Sequence, residues 1–116
     1  MTAKSGLAKI RLAQNNLDEA ERLVKAALEE KPDDGYITDS LGWVYFKKGL
    51  FNKAVKYLEK AVSLVPDDPI ILEHMGDAYY KISHKEKALQ FYKRSLTKRK
   101  KDKEHLEKKI QKLTNK

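Results

Sequence analysis

An all-α fold, and within that class an α-solenoid of stacked helix-turn-helix units, is what the 116 residues predict. Three observations carry the prediction. The chain repeats itself: Leu41-Gly42 recurs as Met75-Gly76, 34 positions later, Ala20, Ala54 and Ala88 keep the same offset, and Pro32-Asp33-Asp34 recurs as Pro66-Asp67-Asp68, a period that marks a repeat array. Apolar residues such as Leu58, Ala61, Val62 and Val65 follow a helical spacing, not the alternation of a strand. Lys, Leu, Ala and Glu dominate, which favours helix, and only three prolines and five glycines interrupt the chain.

The offsets divide the chain into units 1–34, 35–68 and 69–102. Each unit predicts two helices, A and B, with a short turn between them. In the second unit helix A is expected from about Tyr36 to Lys48 and helix B from about Asn52 to Leu64. Gly49 suits the left-handed residue that closes helix A, Asn15 and Ser83 hold the same slot in the other units, and Pro66 stops helix B. Asp67 or Asp68 is placed to cap the next helix by accepting its free N–H groups. Position 8 of each unit is small (Ala8, Gly42, Gly76), as are position 20 and position 27 (Ala27, Ala61, Ser95). Small residues there let helix backbones approach closely while Leu41, Tyr45 and Leu58 fill the space between them.

Lys100 stands where the other units have proline, so helix B of the third unit need not stop near Lys98. The tail from Asp102 to Leu113 places Leu106, Ile110 and Leu113 at i, i+4 and i+7. That is one apolar stripe on a charged helix, and residues 103–116 read as a helix capping the last unit, as repeat arrays require. No matching cap is evident at the front, which reads as the C-terminal end of a longer array or as a face that pairs with something else.

In this pattern the chain resembles the tetratricopeptide repeat family, whose unit has a Leu-Gly pair, a Tyr, an Ala, a large apolar residue, an Ala and a Pro at set positions. The second unit supplies Leu41, Gly42, Tyr45, Ala54, Leu58, Ala61 and Pro66; the third supplies Met75, Gly76, Tyr79, Ala88, Tyr92 and Ser95. The first keeps Leu7, Ala8, Ala20, Val24, Ala27 and Pro32 but has Arg11 in the Tyr slot. The family's early Trp is replaced by Lys4, Thr38 and Leu72.

The resemblance implies a right-handed superhelix whose concave wall is lined by A helices and binds a partner peptide or helix. Carried over position by position, that wall comprises Tyr36, Asp39, Ser40, Trp43, Phe46 and Lys47 in the second unit and Ile70, Glu73, His74, Asp77, Tyr80 and Lys81 in the third. The first unit would add Thr2, Ser5, Gly6, Lys9, Leu12 and Ala13. Tyr36, Trp43, Phe46 and Tyr80 are the aromatic candidates for binding hot spots, and the charges among them suit a mixed apolar and charged segment. Some family members grip a chaperone's C-terminal carboxylate with Lys, Asn and Arg; those slots here hold Ser5, Lys9, Ser40, Ile70 and His74, so that mode is not expected. The spacing also resembles bacterial arrays of the family, some cytoplasmic and some envelope-associated.

Charge is segregated. The net +8 lies entirely from Lys93 onward, where 11 Lys and Arg face three acidic residues, whereas the first 92 residues hold 14 of each sign. The run Lys98-Arg99-Lys100-Lys101 has no interleaved aromatics for base stacking. A solvated cap surface is therefore favoured over contact with an acidic protein, and nucleic acid or anionic membrane is the least favoured partner. Cofactor binding and catalysis find no motif: His74, His84 and His105 lack metal-ligand spacing, and no Gly-rich phosphate loop or cysteine occurs. Glu73 and Asp77 at i and i+4 mimic a carboxylate pair but read as a groove or solvent face. No apolar run is long enough to span a membrane. The competing readings are a structural or homo-oligomeric role for the front face, and binding of an acidic or nucleic-acid partner by the tail.

Overall fold

A computed structural model describes the backbone of residues 2–114 and the side chains of residues 16–114. Six helices follow in order: α1 (Thr2–Glu30), α2 (Gly35–Lys47), α3 (Phe51–Leu64), α4 (Pro69–Lys81), α5 (Lys85–Lys98) and α6 (Glu104–Thr114). The α2/α3 and α4/α5 hairpins stack through α3 and α4, with α1 against α2 at the front and α6 against α5 at the back.

Local chemistry sets the boundaries. Asp34 caps α2 by accepting from the Tyr36 and Ile37 amides at 2.9 and 3.0 Å, and Asp68 caps α4 in the same way from Ile70 and Ile71. Pro69 occupies the first turn of α4, where a missing N–H costs nothing. The two hairpin turns are built alike. Gly49 closes α2 at φ 81° and Ser83 closes α4 at φ 66°, while the following amides, of Leu50 and His84, reach back to the Tyr45 and Tyr79 carbonyls at 2.9 Å. Ser83 pays a left-handed cost that Gly49 avoids.

The core runs through the hairpins as Leu41, Tyr45, Ala54, Leu58, Met75, Ala78, Ala88 and Tyr92, with Leu106 of α6 fully buried at the back. The helices meet closely where the repeat has glycine. A Cβ on Gly76 would lie 2.6 Å from the Tyr92 ring, and one on Gly42 would lie 2.8 Å from Leu58.

One expectation is corrected and one open point is settled. The turn expected at Asn15 is absent: α1 runs unbroken from Thr2 to Glu30. A helix A that carries Arg11 in place of the packing Tyr has little apolar gain from folding back, and Asn, unlike Gly, tolerates a helix interior at modest cost. In the third unit, α5 does stop at Lys98 although no proline follows. Arg99 turns to extended backbone (ψ 141°), and its guanidinium donates to Glu73 at 2.6 Å; Asp102 then adopts φ 58° before α6 begins.

The front seam is polar at its rim. Lys48, just past α2, donates to Asp18 and Glu21 of α1 at 2.6 and 2.7 Å, and the Tyr45 hydroxyl donates to Glu21 at 3.1 Å. Bonding from Lys25 and Lys48 holds the Glu21 carboxyl at about 2, below its ordinary value, and the pairing raises Lys48. Val24 and Leu28 pack against the core below.

Candidate partner-binding face

The second- and third-unit candidates all lie on α2 and α4, which touch directly. Their surroundings differ. Tyr36 and Ile70 occupy the same unit position and are the open apolar residues of the face, 58% and 54% exposed. Ser40, Lys47 and Lys81 are also exposed. The Ser40 hydroxyl donates to the Tyr36 carbonyl at 3.0 Å, so it is spent on its own helix.

Trp43, Phe46 and His74 are half-buried and form the floor. The Trp43 ring stacks with Phe46 at 4.4 Å and with His74 at 3.9 Å, within the range in which aromatic pairs attract. Asp39 anchors the imidazole through Nδ1 at 2.9 Å. Lys47 lies over Trp43 at 5.3 Å, and Lys81 over Phe51 at 5.8 Å. Asp39 and His74 thus join α2 to α4 and orient the stack.

Glu73 and Asp77 require a correction. They do not open onto a groove; α6 and the α5–α6 turn cover them. Glu73 is 8% exposed and takes Arg99 at 2.6 Å, Lys109 at 2.6 Å and His105 at 3.1 Å. Asp77 takes Lys109 at 3.0 Å and accepts from the Tyr92 hydroxyl. Burial works against the Glu73 charge, but Lys109, His105 and Arg99 outweigh it and hold the carboxyl at about 2. Burial and the bond to Asp77 together push the Tyr92 hydroxyl up. Tyr80 turns the same way, lining a cavity of about 200 Å³ with Asp77, Tyr92, Lys109, Lys112 and Leu113. The physical reason is the tail's charge: its cations complete a buried ion cluster that an apolar stripe alone could not satisfy.

Arg99, His105 and Lys109 are the residues that sequence reasoning assigned to a solvated tail. The signal was present, since His105 and Lys109 share the i, i+4 spacing of Glu73 and Asp77. Thr2, Ser5, Gly6, Lys9, Leu12 and Ala13 lie outside the described side chains. Among the described residues no group of three or more His, Asp or Glu is arranged to hold a metal ion, and no helix is long and apolar enough to cross a membrane.

Two family models match the chain in overlapping segments, one described as TPR repeat over residues 42–83 and one as Tetratricopeptide repeat over residues 71–106. No curated protein sequence matches it. Among solved structures, MamA superposes with a TM-score of 0.77 at 23% identity, over 89% of this chain and 60% of the MamA chain, so the match spans less than two thirds of that chain. The first TPR of Spaghetti (RPAP3), bound to an HSP90 peptide, gives 0.80 at 20% identity, over 91% of this chain and 83% of the domain. The N-terminal domain of stress-induced protein-1 from C. elegans gives 0.72 at 24% identity, over 98% and 94%. At these identities the likeness is one of fold.

Proposed function

The chain belongs to the tetratricopeptide repeat family, and on that premise we propose that it is an adaptor or scaffold that holds a segment of another protein on the α2/α4 face. Repeats of this family are in general interaction modules and not enzymes. The observation that carries the reading is the pairing of Tyr36 and Ile70: two large apolar side chains, more than half exposed, at equivalent positions over a fixed aromatic floor. Exposed apolar groups beside a rigid stack are what a partner's side chains would cover.

The binding residues proposed are Tyr36, Trp43, Phe46, Lys47, Ile70, His74 and Lys81, with Asp39 positioning His74. The Spaghetti domain is bound to the HSP90 peptide SRMEEVD. This chain has Ser40, Ile70 and His74 where a carboxylate clamp would need Asn, Lys and Arg, so a chaperone tail held in that manner is not proposed. Residues 103–116 serve on this reading as the cap of the array, and the engagement of Arg99, His105 and Lys109 with Glu73 argues against the tail as the main binding site.

The test is affinity capture from nuclease-treated lysate of the source cells, comparing wild type with Tyr36→Ser/Ile70→Ser. Both residues are exposed, so the variant is expected to keep its helical circular dichroism. A protein retained by wild type and lost by the folded variant is the expected result. Identical captured sets would remove the α2/α4 face as the site.

A further inference from the structure

Resting on that reading, we infer that the face takes an acidic segment with apolar anchors, internal to its protein and not dependent on a free C-terminus. The argument is a charge balance. Three acids lie on the α2 and α4 candidate positions, and each is already engaged within the chain: Asp39 by a bond to the His74 imidazole, Glu73 by Arg99, His105 and Lys109, and Asp77 by Lys109. Lys47 and Lys81 are exposed and, among the described residues, have no carboxylate within ion-pair distance; each sits over an aromatic ring instead. Lys112 on α6 is likewise exposed over Tyr80 at 6.0 Å. Three open lysines thus face a partner against one acid, Asp39, that no Lys or Arg pairs, so the charge that remains is positive although the count of residues on the face looks balanced.

The face is also polarised along its length. Tyr36 and Ile70 stand in the first turns of α2 and α4, and Lys47 and Lys81 in the last turns. The separation is 11 residues on each helix, about 16 Å at ~1.5 Å per residue, or roughly five residues of extended peptide. Beyond the basic end, the hairpin turns form an open depression of about 650 Å³ lined by Leu50, Phe51, Lys53, Lys81, Ile82 and His84 among others, none of them acidic. Leu50 is 43% exposed there. A segment with aromatic or aliphatic residues at one end and Asp or Glu about five residues away meets both ends of this surface, with complementarity that steers encounter and fixes register.

The experiment is selection from a random 16-residue peptide display library, with peptides fused at their C-termini, on wild type, on Lys47→Glu/Lys81→Glu and on Tyr36→Ser/Ile70→Ser. Wild type is expected to enrich peptides rich in Asp and Glu alongside aromatic or aliphatic residues. An amidated synthetic version of a selected peptide should bind at least tenfold more weakly to the Lys47→Glu/Lys81→Glu variant, and that variant should itself enrich basic peptides. Peptides selected by wild type and lost on Tyr36→Ser/Ile70→Ser, but without acidic excess, would overturn this inference and leave the face as a binding site. Selection that is the same on all three proteins, or absent on wild type, would overturn both. A single-stranded oligonucleotide of equal charge that outcompetes the selected peptides would replace the acidic segment with nucleic acid and also overturn the inference.

Discussion

The front and the back of the stack each carry an outer helix held through a carboxylate and the cations that meet it, but with the signs reversed. At the front the acid sits on the outer helix: Glu21 of α1 meets Lys48, the residue that ends α2. At the back the acid sits on the inner helix: Glu73 of α4 meets Lys109 and His105 of α6 and Arg99 beside it. The depth differs as well, with 19% of the Glu21 side chain exposed against 10% of Glu73. An acid on the outer helix regains water whenever that helix lifts. A buried acid on the inner helix depends on α6 and the turn before it for its charge compensation. The back seam is therefore the more cooperative of the two, and the cap helix is part of the fold in a way that the front rim pairs are not.

The strongest way to break the comparison is to remove the apolar anchor at each end. Leu106→Ala deletes a side chain with no exposure and is expected to cost about 3 kcal/mol. Leu28→Ala, on a partly buried residue of α1, is expected to cost roughly half of that. Urea denaturation followed by circular dichroism reads both; equal losses would contradict a deeper back seam.

Acid titration separates the ends next. Glu73 is held at about 2, below the 4.5 of a free carboxyl, so its contribution is fully present above that ordinary value and is lost as pH falls from about 4.5 toward 2. A shift of that size corresponds to a loss on the order of 3 kcal/mol. Glu73→Gln should flatten the acid limb of a stability-versus-pH curve, whereas Glu21→Gln, more exposed and more screened, should change it less. An unchanged limb in the Glu73 variant would show that the cluster does not stabilise the fold.

Single cation deletions should follow the same order. Lys109→Ala leaves Glu73 and Asp77 short of their shared partner and is expected to cost about 2 kcal/mol. Lys48→Ala leaves Asp18 and Glu21 to solvent and is expected to cost clearly less than Lys109→Ala. The smallest effect concerns the two hairpin turns. Ser83→Gly relieves a left-handed backbone and should stabilise the chain by about 1 kcal/mol, and Gly49→Ser, at φ 81°, should destabilise it by a similar amount. Thermal unfolding of the pair measures the difference, and shifts of the same sign would contradict it.

What was legible in the sequence is what is local or periodic. The Gly49 and Ser83 slots, the cap at Asp67 or Asp68 and the Leu106, Ile110, Leu113 stripe depend on neighbours within a turn or on a repeat distance of 34, so α2 and α3 could be placed within a residue or two. The continuity of α1 through Asn15 was hidden, because a weak turn signal decides nothing unless the two halves gain by packing, and Arg11 removes that gain. The candidate side chains of α2 and α4 were assigned from their unit positions alone, and their surroundings were not legible. Asp39 to His74 spans 35 residues and Glu73 to Lys109 spans 36. Such pairs are set by which helix covers which, so residue type alone placed the carboxylates on an open groove while the cap had already claimed two of them.

The most direct test of the α2/α4 face replaces Ile70 with a photo-crosslinking phenylalanine analogue and, in a second protein, replaces exposed Lys60 on α3 with the same group. Irradiation in source-cell lysate is predicted to give a discrete covalent adduct from position 70 and none in common from position 60. An adduct pattern that is the same at both positions, or one that forms only at position 60, would contradict the assignment of partner binding to this face.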